Sequence, residues 1–340
     1  MISYDDVYIE PRHSDIESRD NVNLETQFTR NHRIGCPVVA SPMDTVVCGE
    51  MIEALDNEGC VGIMHRFGGH QYGKVNQIDE LKNVSVEGPL SVSVGAKGDI
   101  GRIATPIINE TGADVVLIDV AHGDHKYVKS AISKLREDAP NVDIIAGNVA
   151  TAEGASRLAD WGADAIRVGI GNGSVCSTRV KTGVGVGQVT AIRNVVDVLD
   201  RTHPDVPVIA DGGIRKPGDA AKALAAGADT VMVGSILAGT DETPGELKAR
   251  ETDWPNRELY KEYRGSASQG VKGSNDYVEG VTRTVPYRGS VRRIIGDMKD
   301  GLRSSFSYVG ARSVGEFQAN ANLIEVSGSA AQMGQPHHES

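Results

Sequence analysis

The 340-residue chain has few aromatic residues, which make up 4% of the sequence, whereas glycine occurs 40 times. A β-sandwich is expected to carry more aromatic side chains in its core, so this scarcity argues against that fold. Val, Ile and Ala instead fill the apolar positions, as is typical of parallel strands that are buried on both faces. The composition therefore favours an α/β fold.

The sequence also lacks a basic excess and long apolar runs. It has 35 Lys and Arg against 46 Asp and Glu, with a net charge of −11. Nucleic-acid phosphates require clustered cations, so we expect no nucleic-acid partner. No run reaches the roughly 18 apolar residues of a membrane span, and the N-terminal sequence, acidic from Asp5, is unlike a secretory signal. We expect a cytoplasmic protein that does not bind membranes.

Cysteine pairs are missing as well. The four cysteines form no CxxC motif and show no metal-ligand spacing, which argues against a disulfide framework or a zinc site. A reducing compartment fits this pattern. Three of them are expected to be small, inert core residues: Cys36, Cys48 and Cys60.

Cys176 is different because it lies in the polar, glycine-rich stretch GIGNGSVCSTRVK, residues 169–181. Glycines allow the backbone to approach a ligand closely, and the nearby Arg179 and Lys181 favour a thiolate. We therefore interpret Cys176 as a nucleophile rather than as a buried structural thiol.

Eight short runs rich in Val and Ile recur along the chain, and most are followed by a segment with helical periodicity. A glycine in the phrases TGAD, WGAD and AGAD, at 111, 161 and 226, is expected to end three of these helices. Eight β/α units predict a single-domain (β/α)8 TIM barrel, with an open doubly wound sheet as the alternative. The predicted strands are residues 36–41, 60–64, 90–95, 114–120, 143–149, 165–171, 207–213 and 230–235.

Two segments lie outside this repeat. Residues 255–290 are polar and rich in Gly and Ser, which suggests a mobile flap at about 264–290. Residues 326–340 have the composition of a disordered tail. The barrel domain is therefore predicted to span residues 1–325, including the flap.

The predicted strands end in polar and glycine residues, and these ends form the active-site face of a barrel. Backbone N–H groups at Gly173–Ser174, at 211–213 and at 234–235 could hold a phosphate, with Asp211 suited to ribose hydroxyls. Ordinary tight turns are the alternative. Asp119, His122 and Asn148 are expected on the opposite side of the mouth and could bind a second ligand, although His122 could equally be a solvated loop residue.

Several longer stretches resemble the inosine monophosphate dehydrogenase and guanosine monophosphate reductase superfamily, and the resemblance covers nearly the whole chain. It implies that Cys176 attacks C2 of a purine mononucleotide to form a covalent adduct. The stretches include RDNVNLETQFTR at 19, VVASPMDTV at 38, IDVAHG at 118, AGNVAT at 146, GIGNGSVCSTR at 169, VIADGGIRKPGD at 208 and EYRG at 262.

The resemblance implies one of two activities. The reductase converts GMP to IMP and ammonia with NADPH, whereas the dehydrogenase oxidises IMP to XMP with NAD. Dehydrogenases usually carry regulatory modules after the second strand and an Arg-Tyr pair in the flap. Here only residues 66–90 separate strands two and three, and Tyr277 follows Asp276. We therefore predict a reductase.

Two alternatives stay open. The first is a dehydrogenase without regulatory modules, because the stretch DVAHG resembles the dehydrogenase branch. A short flap, with Ser266 where the family usually has Met, would also suit a catalytically silent purine-nucleotide sensor. Members of the family form tetramers, which implies a homotetramer.

The resemblance also implies residue roles. Catalysis would fall to Cys176, Thr178 and Glu279. Arg66, Asp119, His122 and Asn148 would face the cofactor, NADPH or, for a dehydrogenase, NAD. A monovalent cation such as K⁺ would bind the carbonyls of Gly171, Gly173 and Cys176, in a loop where Asn172 replaces the Pro that is usual in the family. The residues implied for the substrate are Ser174, Asp211, Gly212, Gly213, Gly234, Ser235, Tyr263, Gly265 and Ser266.

Overall fold

The computed structural model describes residues 1–67, 77–251, 257–265 and 281–327. Eight parallel strands pair in chain order, and the last pairs with the first to close a barrel. The predicted (β/α)8 barrel is confirmed, and each barrel strand lies within one of the eight predicted runs. The barrel strands are β4 (Val38–Ala40), β5 (Val61–Met64), β6 (Ser91–Val94), β7 (Val115–Asp119), β8 (Asp143–Val149), β9 (Ala165–Val168), β10 (Val208–Asp211) and β11 (Thr230–Val233).

Helices pack around the barrel and, with the strands, bury two layers of apolar side chains. Alternate residues of a strand point to opposite faces. In β7, Val115 and Leu117 belong to the inner cluster, whereas Val116 and Ile118 belong to the outer cluster beneath the helices. The helices are α1 (Gly49–Asp56), α2 (Gln77–Leu81), α3 (Ile100–Thr111), α4 (Lys126–Asp138), α5 (Ala152–Asp160), α6 (Thr178–Thr182), α7 (Gln188–Thr202), α8 (Pro217–Ala225), α9 (Val291–Ser307) and α10 (Val314–Asn320).

The three GAD phrases share one structural role. The glycine of each has a positive φ, from 72° to 107°, and turns the chain out of a helix as predicted. The aspartates then tie adjacent strands together, because their carboxylates accept the backbone N–H of residues at the start of the preceding strand. Asp114 accepts from Leu90, Asp164 from Ile144 and Asp229 from Val208, at 2.8–2.9 Å.

Short strands from the first and last parts of the described chain pair beside the barrel. β1 (Val7–Ile9) pairs antiparallel with β15 (Leu323–Glu325), and β2 (Thr26–Gln27) pairs with β3 (Arg33–Ile34). Val326 also donates to the carbonyl of Asp6, at 2.9 Å. Of the predicted tail, residues 328–340 lie outside the described part of the chain. No helix in the described part is long and apolar enough to cross a membrane.

The segment predicted to be a flap contains strands at both ends. β12 (Lys248–Glu251), β13 (Arg257–Arg264) and β14 (Thr282–Pro286) form an antiparallel sheet. The buried Lys261 fixes β13 to the loop after β11, because its ammonium donates to the carbonyls of Thr243, at 2.7 Å, and Asp241, at 3.1 Å. Residues 266–280, the middle of the predicted flap, lie outside the described residues.

Candidate active site

Cys176 lies in the loop after β9, at the end of the barrel where the strands finish. Its backbone N–H donates to the carbonyl of Gly173, at 3.1 Å, which closes a tight turn and leaves the thiol exposed. The Sγ atom lies 3.1 Å from Oγ1 of Thr178, the first residue of α6. An accessible thiol beside a hydroxyl is suited to nucleophilic chemistry with local proton transfer. Of the three cysteines predicted to be core residues, Cys36 and Cys60 are buried and Cys48 is only half-buried.

A second group of predicted residues meets around Tyr263, the penultimate residue of β13. Burial raises the pKa of Tyr263 to about 12, opposed by its hydrogen bond with Ser174. A β-carbon on Gly234 would lie 3.1 Å from the Tyr263 hydroxyl and 3.0 Å from Sδ of Met43, so there is no room for a side chain at this turn. Ser174 and Gly234 thus both lie beside the Tyr263 hydroxyl.

The turn after β10 packs directly against the cysteine loop. Gly212 and Gly213 have φ values of +95° and +84°. A β-carbon on Gly212 would lie 3.0 Å from Cβ of Asn172, and one on Gly213 would lie 3.3 Å from the ring of Tyr4. This contact holds two of the predicted phosphate-binding turns side by side.

A buried arginine, Arg167 of β9, joins residues that the sequence placed on opposite sides of the mouth. Its guanidinium donates to Oδ1 of Asp119, at 2.7 Å, and to Oδ2 of Asp211, at 3.0 Å. The side-chain amide of Asn148 also donates to Oδ2 of Asp211, at 2.7 Å, and to the carbonyl of Gly169. The prediction that Asp119 and Asn148 lie across the mouth from Asp211 is wrong. The strands β7 to β10 are consecutive, and Arg167 of β9 connects Asp119 at the end of β7 with Asp211 at the end of β10.

The charge balance of this group is favourable. Burial would lower the pKa of Arg167, but the carboxylates of Asp211 and Asp119 outweigh burial and raise it. The guanidinium therefore stays protonated and fixes both carboxylates. Sequence reasoning missed Arg167 because it lies inside an otherwise apolar strand.

These features agree with the similarity of the chain to known proteins. A family model described as the IMP dehydrogenase / GMP reductase domain matches residues 1–337. The chain belongs to this family. The match confirms the predicted superfamily. Members of this family are oxidoreductases that use nicotinamide nucleotides.

Relatives of both branches are found. A GMP reductase from Pediococcus pentosaceus is 39% identical over 318 residues, which cover 92% of this chain and 93% of the relative. An inosine-5'-monophosphate dehydrogenase from Nitrosopumilus maritimus is 31% identical in an alignment of length 472, gaps included. The alignment covers 99% of this chain and 98% of the relative.

The chain is also similar over its whole length to a solved structure. The crystal structure of a cysteine-to-alanine variant of Trypanosoma brucei GMP reductase, in complex with guanosine 5'-monophosphate, has a TM-score of 0.88 and 27% sequence identity. The match covers 100% of this chain and 98% of that chain. That protein thus holds a purine mononucleotide on the fold found here.

The rim beside Asp119 carries the residues predicted to face a nicotinamide cofactor. Arg66, which follows β5, has its Nε 3.6 Å from Oδ2 of Asp119, and its side chain is 36% exposed. One oxygen of Asp119 therefore faces the buried Arg167 and the other faces an accessible cation. Donors and an acceptor at an open rim fit a carboxamide and ribose hydroxyls. His122 is exposed on the loop after β7.

Two predicted residues, Ser266 and Glu279, lie outside the described residues. The positions that flank their segment are described, and they lie beside the cysteine loop. The N–H of Val281 donates to the carbonyl of Val175, at 3.1 Å, and the N–H of Gly265 donates to the carbonyl of Val281, at 3.2 Å. Val281, which follows the segment, is thus joined to the residue that precedes Cys176, and Gly265, which precedes the segment, is joined to Val281.

Two further site residues were not predicted from the sequence. Met43 lies between Gly234 and Tyr263, and Tyr4 is buried against Gly213. Burial, together with Asp219 and Asp211, raises the pKa of Tyr4 well above its usual value, so this hydroxyl stays protonated. The motif SPMDT, at the end of a predicted strand, was a signal for Met43. Tyr4 had no such signal, because its partners lie about 200 residues away in the chain.

Divalent metal binding finds no support in the described residues, which contain no group of three or more His, Cys, Asp or Glu side chains able to hold a metal ion. The predicted monovalent-cation loop is described. Gly171 is half-buried and has a φ of +80°, and Gly173 is exposed. The side chain of Arg179 lies across this loop, against Gly171.

Proposed function

We propose that this chain is an NADPH-dependent GMP reductase, which converts GMP to IMP and ammonia. The observation that carries the proposal is the 3.1 Å contact between Cys176 Sγ and Thr178 Oγ1 at the mouth of the barrel. The similarity to the reductases from Pediococcus pentosaceus and Trypanosoma brucei supports it.

The nucleotide phosphate would lie among backbone N–H groups and hydroxyls at the turns after β9, β10 and β11. The residues proposed to contact the phosphate are Ser174, Gly212, Gly213, Gly234, Ser235 and Tyr263. Such N–H groups at the ends of the last barrel strands are a common phosphate grip. Asp211, held by Arg167 and Asn148, would accept hydrogen bonds from the ribose hydroxyls. Gly265 and Ser266 would contact the base.

Covalent chemistry would begin at Cys176. The thiolate attacks C2 of the guanine, so a C2–S bond forms, the bond from C2 to the exocyclic nitrogen breaks, and ammonia leaves. The leaving nitrogen needs a proton. The hydroxyl of Thr178 lies beside the sulfur and can relay one, and Glu279 would supply it as a general acid.

The second half of the reaction replaces sulfur at C2. The reduced nicotinamide cofactor, when bound, supplies the hydride for this replacement. Arg66, Asp119, His122 and Asn148 would hold the cofactor at the rim. Arg167 keeps Asp119 oriented between the two ligands, because it is buried and bonded to Asp211 as well.

Exclusion of water separates a reductase from a dehydrogenase, because hydrolysis of the adduct would give XMP. The dehydrogenase branch uses an arginine and a tyrosine of its flap to activate water. Residues 266–280 contain one lysine and no arginine. This composition supports reduction of the adduct rather than its hydrolysis.

A dehydrogenase remains the second candidate. The Nitrosopumilus maritimus relative favours it, as does the DVAHG stretch at 119–123. The chain would then oxidise IMP with NAD and hydrolyse the adduct to XMP.

A paired spectrophotometric assay tests the proposal. Purified protein is incubated with GMP and NADPH, and separately with IMP and NAD, while the absorbance of reduced nicotinamide is followed. A reductase lowers the absorbance in the first mixture and releases one ammonia for each NADPH consumed. A rise confined to the second mixture identifies a dehydrogenase, and no change in either mixture with intact GMP binding identifies a nucleotide sensor.

A further inference from the structure

Two buried cations attach the strand β13 to the barrel, one on each side of Tyr263. The ammonium of Lys261 donates to carbonyls in the loop after β11. The guanidinium of Arg264, the last residue of β13, donates through Nη2 to Oδ2 of Asp44, at 2.6 Å. Tyr263 therefore lies between two points at which its strand is held.

Asp44 belongs to the motif SPMDT in the loop after β4. The hydroxyl of Thr45, the next residue, accepts a hydrogen bond from the backbone N–H of Arg264, at 3.0 Å. The loop therefore binds both the side chain and the backbone of one residue of β13. Met43, in the same motif, has its Sδ 3.7 Å from the hydroxyl of Tyr263.

The ion pair between Asp44 and Arg264 is buried. The side chains are 10% and 6% exposed, respectively. Within the described residues, Oδ1 of Asp44 is buried without a hydrogen-bond partner, so the carboxylate depends on Arg264. Removal of Asp44 would leave a buried guanidinium, which cannot lose its proton and must move to reach water. The end of β13 would move with it.

The position of the Tyr263 hydroxyl is sensitive to such a movement. Ser174 and Gly234 lie beside this hydroxyl, at two of the turns proposed to bind the phosphate. A hydrogen bond between oxygen atoms has a narrow range of lengths, so a shift of about 1 Å at the end of β13 would break one from Tyr263 to a phosphate.

We propose that Asp44 is a positioning residue for the nucleotide phosphate. Through its ion pair with Arg264 it fixes the end of β13, and thereby the distance between the Tyr263 hydroxyl and the turn after β11. The inference rests on the proposed nucleotide site. It is the same for GMP and IMP, because both carry the same phosphate.

The test measures Kd for GMP and for IMP by titration calorimetry without cofactor, so it does not depend on which reaction the protein catalyses. Asp44→Ala removes the ion pair, and Asp44→Asn removes the charge but keeps an acceptor for Arg264. Glu58→Ala is the matched control. It removes a carboxylate, 16% exposed, that pairs with Lys299 at the end of the barrel where β5 begins.

We expect Asp44→Ala to raise both Kd values at least about tenfold, the loss expected for a hydrogen bond to a charged group. Asp44→Asn should lose less, and Glu58→Ala should bind both nucleotides as the wild type does. In a Tyr263→Phe background, Asp44→Ala should cost less than about threefold, because the hydroxyl that it positions is already absent. A purely structural role would give the same factor in both backgrounds.

Amide hydrogen exchange without nucleotide tests the structural step by itself. In Asp44→Ala, exchange should accelerate at least about tenfold in the peptide that carries the Arg264 N–H and stay unchanged in β1. Thr45→Val removes the acceptor of that N–H with little change in volume. It should act in the same direction on exchange and on Kd, so the comparison stands even if Asp44→Ala does not fold.

Three results would overturn the proposal. They are an unchanged Kd in Asp44→Ala, an equal loss with and without the Tyr263 hydroxyl, and unchanged exchange at Arg264. A wild type that binds neither nucleotide would overturn the proposed function and this inference together, even if the exchange result shows that Asp44 fixes β13.

Discussion

Arg167 donates a 2.7 Å hydrogen bond to Asp119 inside the barrel mouth, and both side chains are largely buried. The same guanidinium also holds Asp211. Removing it would take this cation away from the buried Asp119, which would keep only the more distant Arg66, and from the half-buried Asp211. The arrangement makes Arg167 necessary for the stability of the site as well as for its geometry.

We expect Arg167→Met to lower the free energy of unfolding by about 3–5 kcal/mol, the usual cost of breaking a buried ion pair from one side. Urea unfolding measures this loss. Arg201→Met, at an exposed position, should change stability by no more than about 0.5 kcal/mol. A loss below about 1 kcal/mol for Arg167→Met would show that the two carboxylates do not need this cation.

Thr178→Val removes the hydroxyl beside the Cys176 thiol with little change in volume. If the hydroxyl relays a proton to the leaving amine, kcat should fall about 100-fold while KM changes little. Thr178→Ser keeps the hydroxyl and should retain most of kcat. Steady-state kinetics with GMP distinguish the two variants, and equal kcat values for valine and serine would exclude a role for the hydroxyl.

Tyr263→Phe removes a hydroxyl that faces Ser174 and Gly234. Burial raises its pKa to about 12, so the hydroxyl remains a donor at ordinary pH. A hydrogen bond to a charged phosphate is worth about 1.5–3 kcal/mol, so we expect KM for the nucleotide to rise at least about tenfold. Tyr308→Phe, on the surface, is the control. An unchanged KM would place the phosphate elsewhere.

Asp229 should make stability depend on pH. Burial raises its pKa from 3.8 to about 6, so the folded state binds this proton more tightly than the unfolded state. Its contribution to stability is complete below about pH 4 and is lost as the pH rises through about 6, with a total of about 3 kcal/mol.

Asp229→Asn removes this titration and keeps an acceptor for the Val208 N–H. We expect the variant to be more stable than the wild type near neutral pH and equal to it near pH 4. Asp114→Asn, in the equivalent phrase, controls for the exchange of a carboxylate for an amide. The expectation fails if the difference in unfolding free energy between Asp229→Asn and the wild type is the same at both pH values.

Much of the fold could be predicted from the sequence because its signals are local. The eight Val- and Ile-rich runs became the eight barrel strands, and the glycines of the GAD phrases turned the chain as expected. Residues at the strand ends, such as Cys176 and Asp211, were singled out because every parallel barrel opens at that end.

Features that depend on distant residues could not be predicted. The pairing of β1 with β15 joins strands that are far apart in the chain, and no local pattern specifies it. Arg167 looks like one residue of an apolar strand until β7 and β10 bring Asp119 and Asp211 to it. The strands β13 and β14 were hidden because their segment is polar, and β14 and the first half of β13 contain no buried residue.

A covalent bond between Cys176 and the purine can be tested in two ways. Cys176→Ser is assayed with GMP and NADPH, and acid-quenched wild-type protein is examined by mass spectrometry. We predict that turnover falls at least about 1,000-fold in the variant. The wild type should carry an adduct on the Cys176 peptide equal in mass to GMP less ammonia. Turnover at the wild-type rate in Cys176→Ser would contradict the account.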